Sequence, residues 1–219
     1  MKDCEAQQRI RNLGGECVDN QIKLKIDAVL ESQNGMARTR DFLNEGITHY
    51  YIKKLESQGE IIRVKQGLYR HAEFSKGTID ELVEVSKLVP KGVVCLLSAL
   101  SFYELTTYNP WEYQVAIHRG SKKPKLPGHP PIKVFYLADI QYNLGINEVH
   151  IEDSSVSIYD REKTICDIVR YREKIGIDIM KEGLRNYLHS PYKNITKLVQ
   201  YADKLRIRTV LQKYLEVLI

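Results

Sequence analysis

Residues 34–71 read NGMARTRDFLNEGITHYYIKKLESQGEIIRVKQGLYRH, a stretch punctuated by glycine at 46, 59 and 67. Gly46 separates a short helix beginning near Arg38 from a second one that starts at the polar Thr48. That second helix carries Tyr51, Ile52 and Leu55 at helical spacing. Gly59 ends it. Two β-rich runs follow, Ile61 to Val64 and Leu68 to His71, joined across Lys65-Gln66-Gly67, where glycine supplies the positive φ of a tight turn. Two helices, a turn and a hairpin in this order predict a winged helix-turn-helix.

In such a module one helix offers solvated side chains to the major groove while its other face is held on a small core. Once Tyr51, Ile52 and Leu55 are spent on packing, Thr48, His49, Tyr50, Lys53 and Lys54 remain for bases and phosphates. The first hairpin strand alternates, with Ile62 and Val64 on one face and Arg63 and Lys65 on the other. Its basic face is expected to lie along the phosphate backbone. With Arg38 at the helix entry, Gln66 in the turn and Arg70 in the second strand, these residues form the expected DNA-binding set.

Charge supports that placement. Residues 48–70 contain five Lys and Arg against two Glu, whereas residues 1–75 as a whole balance at twelve against eleven. The basic excess is therefore local to the second helix and hairpin. Small helix-hairpin units also serve as dimerisation or docking modules, so the charge pattern alone leaves both uses open.

With 219 residues, 43% of them apolar and 28% charged, the chain is long enough for two compact soluble domains. No apolar run approaches the roughly 20 residues that span a bilayer, and the start, MKDCEAQQRI, is polar; a cytoplasmic protein with no membrane partner is expected. Cys4, Cys17, Cys95 and Cys166 are widely spaced without a C-x-x-C pair, and all four are read as reduced and structural. No histidine pair has helical ligand spacing, so neither a metal nor another cofactor is expected.

The expected fold class is α+β: the winged helix-turn-helix followed by a mixed α/β second domain with a small sheet and C-terminal helices. The expected divisions are an N-terminal arm or extra helix at 1–21, the DNA-binding domain at 22–75 and the second domain at 76–219, with the boundary near 72–79. Asp80 to Val89 and Val93 to Leu105 are read as helices. Short strands follow at 114–118, 132–137, 148–151 and 156–159, then helices over Arg161 to Ile175, after Asp178, and from Asn194 through Leu218.

Two features of the second half invite function. Residues 119–133 carry Arg119, Lys122, Lys123, Lys125 and Lys133 with no acid, a charge equal to the net +5 of the chain. This loop is open to three uses: a solvated connection, an extension of the phosphate footprint through Arg119, Lys122, Lys123 and Lys125, or a partner contact. The run YDREKTICD at 159–167 invites a catalytic reading, because some nucleases combine carboxylates and a lysine around a metal. On a helix, however, Asp160 and Lys163 share a face that Glu162 does not, so these residues are expected to cap the helix rather than cleave a substrate. No catalytic residue is assigned, and the protein is not expected to be an enzyme.

Beyond the first segment, GVVCLLSALSFYEL at 92–105, QVAIHRGSKKPKLPGHPPIKVFYL at 114–137 and VSIYDREKTICDIVRYREKIGIDIMKEGLRNYL at 156–188 occur in fixed order. With residues 34–71 they resemble the successive blocks of the AbiEi-type antitoxins, winged-helix autorepressors of abortive-infection toxin–antitoxin operons. The likeness runs over residues 22–190. It implies a phage-defence antitoxin and transcriptional repressor that binds double-stranded DNA at an inverted repeat in its own promoter. It further implies counteraction of a nucleotidyltransferase-type toxin.

A single short recognition helix reads few base pairs, so a homodimer or paired copies on the DNA are expected. Two other classes compete. One is a metal-dependent nuclease targeted by its winged helix, and the other is a protein-interaction module with secondary DNA binding.

Overall fold

The computed structural model describes residues 21–33, 35–72, 81–151 and 154–218. Residues 1–20 of the arm expected at 1–21, residues 73–79 of the boundary expected near 72–79, Asp80, Cys4, Cys17 and the Val217 and Leu218 side chains lie outside what it describes. The chain divides into two compact units, Met1–Asp80 and Glu81–Ile219, and its described residues are mixed α and β with two small sheets. Among the described residues no helix is long and apolar enough to cross a membrane.

Among the described residues the first element of the first unit is helix α1 (21–32), which the sequence alone did not predict. Ile26, Val29 and Leu30 fall on one side of it and are buried. Strand β1 (Met36–Arg38), helix α2 (Thr39–Asn44), helix α3 (His49–Ser57), and strands β2 (Ile61–Lys65) and β3 (Leu68–His71) follow. The strands form an antiparallel sheet in the order β1-β3-β2, so the hairpin gains a third strand from the segment before α2. Phe42, Ile47, Ile52, Leu55, Ile61 and Tyr69 close one core with the α1 stripe. The Phe42 and Tyr69 rings meet edge to face at 6.1 Å. Gly46, Gly59 and Gly67 all take φ +76°, the left-handed backbone on which the two helix ends and the hairpin turn depend.

The second unit is built on a five-stranded mixed sheet in the order β6-β5-β4-β8-β7. Its elements are α4 (Glu81–Leu88), β4 (Val93–Val94), α5 (Leu96–Phe102), β5 (Tyr113–His118), β6 (Ile132–Leu137), α6 (Asp139–Asn143), β7 (Ile146–Ile151), β8 (Ser154–Tyr159), α7 (Arg161–Arg170), α8 (Arg172–Ile175), α9 (Ile177–His189), α10 (Ile195–Lys204) and α11 (Arg208–Leu218).

One expected helix is corrected here. Val93-Val94 is the central strand, paired to β5 on one side and β8 on the other, and the helix begins only at Leu96. An apolar run this short cannot distinguish a buried strand from a buried helix by period. Cys95 stands at the junction, and buried Gln114 fastens it: the Cys95 amide donates to the Gln114 carbonyl at 2.9 Å and the Leu97 amide to its side-chain oxygen at 3.0 Å. The helix expected over 161–175 is interrupted at Tyr171, and α6 was not foreseen. The core between sheet and helices includes Leu100, Tyr159, Ile165, Ile168, Val169, Met180, Leu184, Tyr187 and Leu198.

Candidate nucleic-acid interface

Helix α3 is two-faced. Ile52 and Leu55 are buried at 1% and 8% exposure, Tyr51 is half-buried against the same cluster, and Thr48, His49, Tyr50 and Lys53 are exposed. At about 100° per residue, His49, Tyr50 and Lys53 share one stripe. Thr48 is the N-cap with extended backbone, and its hydroxyl makes no capping bond. The His49 and Lys53 side chains have no hydrogen-bond or ion-pair partner among the described residues. Tyr50, 67% exposed, leans edge-on against Tyr51 at 5.3 Å. Lys54 departs from the expectation of a fully presented stripe: it is half-buried on the flank of the helix.

The hairpin corrects a second expectation. Arg63 pairs with Tyr69 and Lys65 with Leu68, so the register shifts between Arg63 and Lys65 and Val64 is the extra residue. A bulge of this kind reverses the alternation beyond it. Arg63 therefore shares the face of Tyr69 and Ala37 at the exposed outer strand, while Lys65 shares the opposite face with Arg38, its counterpart across Leu68. Burial, then the Arg38 charge, pull the Lys65 ammonium below its ordinary range. Arg38, Lys65 and Arg70 are half-buried on this second face, and Arg63 and Gln66 are exposed.

The turn is anchored, since the Thr39 amide donates to the Gly67 carbonyl at 3.0 Å, and the Arg38 amide donates to the Asp41 carboxylate at 2.8 Å. Of the expected DNA-binding set, Thr48, His49, Tyr50, Lys53, Arg63 and Gln66 are thus open to solvent.

In the second unit, residues 119–131 form the crossover between β5 and β6, which run parallel. Arg119, Lys122, Lys123 and Lys125 are exposed, whereas Lys133 pairs with Glu112 at 2.9 Å. His118 contacts Asp139; that hydrogen bond, then the His118 charge, hold the Asp139 carboxyl below its usual range.

The expectation for residues 160–167 is corrected in part. Asp160 does cap α7, accepting from the Lys163 amide at 2.8 Å. Glu162, Lys163 and Asp167, however, are buried rather than solvated at the helix start. Lys163 Nζ pairs with Asp167 at 2.5 Å and lies 4.1 Å over the Tyr159 ring. Asp160 and Glu162, expected to diverge, converge on Lys197 Nζ at 3.0 and 3.3 Å. The Tyr187 hydroxyl donates to Glu162 at 2.9 Å and the Tyr201 hydroxyl to Asp160 at 3.1 Å. Lys197 is remote in sequence, so helical geometry at 160–167 carried no sign of it. Among the described residues no three His, Cys, Asp or Glu side chains gather as a metal ion requires.

Residues 25–71, from α1 through β3, match the model of the AbiEi antitoxin family of transcriptional regulators. This is the family that the sequence resembles, and the downstream blocks from residue 92 lie outside the matched segment. A search of curated proteins finds none that matches the chain.

Proposed function

We propose that this protein is a DNA-binding transcriptional repressor and the antitoxin of a cytoplasmic toxin–antitoxin operon. Its α2-α3-hairpin segment serves as a winged helix-turn-helix, and two copies bind an inverted repeat in its own promoter. The carrying observation is α3 itself: Thr48, His49, Tyr50 and Lys53 stand in solvent on a helix locked from behind by Ile52 and Leu55. A preorganised helix of this kind enters the major groove without an ordering cost. Lys53, Arg63 and Gln66 contact phosphates, and His49 and Tyr50 contact base edges. The family match over 25–71 supports the regulatory role.

Counteraction of a nucleotidyltransferase-type toxin rests on the family resemblance and falls to the second unit. No catalytic step is assigned to Asp160 and Glu162, whose carboxylates are engaged by Lys197, Tyr187 and Tyr201.

The test is an anisotropy titration of the full chain against the duplex upstream of its own reading frame and against a shuffled duplex, over a range of salt. Preference for the upstream duplex by a factor of about 10³ or more is expected. Equal affinity for the two would overturn the reading.

A further inference from the structure

A cavity of about 600 Å³ opens in the second unit between the starts of α7 and α10, lined by Tyr103, Asn147, Arg161, Tyr192 and Lys197 among others. It lies in the size range of small-molecule sites. Its charges are unequally satisfied. Lys197 is neutralised by Asp160 and Glu162. Arg161 is not: its guanidinium is held between the rings of Tyr103 and Tyr192, 4.5 and 4.9 Å from their centroids. Among the described residues it has no hydrogen-bond acceptor and no carboxylate partner.

The two ring contacts hold the guanidinium in place without using its N–H groups, which are thereby left for an anion with two oxygens. On the same wall the Tyr103 hydroxyl is shut off from solvent, with the Asn147 side chain beside it.

The ligand class follows from charge and size. Lys197 is held by Asp160 and Glu162, so Arg161 is the cation on this wall available to an anion, and one such charge beside two carboxylates suits a single phosphate and disfavours a polyphosphate. It is far larger than a free inorganic anion. Tyr192 is 70% exposed and offers an aromatic surface at the mouth for stacking. The Asn147 amide supplies both donor and acceptor for a ring edge.

We propose that this cavity binds a nucleoside monophosphate, with the phosphate on the Arg161 guanidinium and the base against Tyr192. The site is separate from the residues assigned to DNA.

Isothermal titration of the full chain with AMP, CMP, GMP and UMP, and in parallel with adenosine, ribose 5-phosphate and inorganic phosphate, tests it. At least one nucleotide is expected to bind, and to bind more tightly than each of its fragments. Arg161→Gln is expected to weaken binding about ten- to a hundredfold, the loss of a charged hydrogen-bond partner. Tyr192→Ala removes a largely exposed ring, spares the fold and is expected to weaken binding by a smaller factor. Absence of binding by every nucleotide overturns the site. Equal binding by ribose 5-phosphate or phosphate overturns the nucleotide assignment, and unchanged affinity in Tyr192→Ala with folded Arg161→Gln overturns the placement.

Discussion

Helix α3 turns His49, Tyr50 and Lys53 into solvent with few partners, whereas helix α7 folds Glu162, Lys163, Thr164 and Asp167 into the interior and satisfies them there. Both helices are rich in polar residues near their starts. The difference lies in what stands opposite: α7 is covered by α5, α9 and α10, and among the described residues of its unit α3 is covered on one side. Polar side chains left without partners on a rigid helix are available to another molecule. Those buried and paired instead define one arrangement of the core, and removing a single member leaves a charge with nowhere to go.

A graded set of substitutions tests this contrast. The largest effect is expected from Asp167→Ala, which strands the Lys163 ammonium at 0% exposure; chemical denaturation should show a loss of about 3–5 kcal/mol. Replacing the pair together, as Lys163→Met with Asp167→Leu, should recover most of it, and a failure to recover would show that the pair matters beyond its charge.

Next is Tyr187→Phe. It removes the hydroxyl that donates to Glu162 and accepts from the Asn194 amide at 2.8 Å, and should cost about 1–3 kcal/mol in the same measurement.

On α3 the expectation reverses. Lys53→Ala should leave stability within about 0.5 kcal/mol. It should nonetheless weaken duplex binding and reduce the salt slope by about 0.9 for each phosphate released. Arg63→Ala should act likewise. Loss of stability without a change in slope would place Lys53 in the packing class of α7.

The smallest effect concerns pH. The Thr107 amide, the Thr106 hydroxyl and the Thr107 hydroxyl hold the Glu182 carboxyl below its ordinary range. A depressed carboxylate contributes stability that is present above its unfolded pKa of about 4.3 and is lost as pH falls through the lower folded value. Acid denaturation of Glu182→Gln should therefore be flatter than that of the wild type below about pH 4.

Much of the first unit was legible. Gly46, Gly59 and Gly67 marked the helix ends and the turn, and Ile52 and Leu55 marked the inward face of α3. Helix α1 was legible too, since Ile22, Ile26, Val29 and Leu30 stand at helical spacing. The bulge at Val64 was not, because β2 alternates cleanly as text and only pairing with β3 reveals the shift. In the second unit Val93-Val94 is too short to show a period, and its strand exists because β5 and β8 flank it.

Local chemistry, written in glycines, caps and apolar spacing, determined which segments of this chain become helix or strand and which residues α3 must bury. Which charged residues meet one another was decided by tertiary structure. Asp160, Glu162 and Lys197, or Arg161, Tyr103 and Tyr192, meet only after the chain has closed loops of tens of residues. A short-range pattern carries no record of which distant side chain will sit within Coulomb or stacking distance.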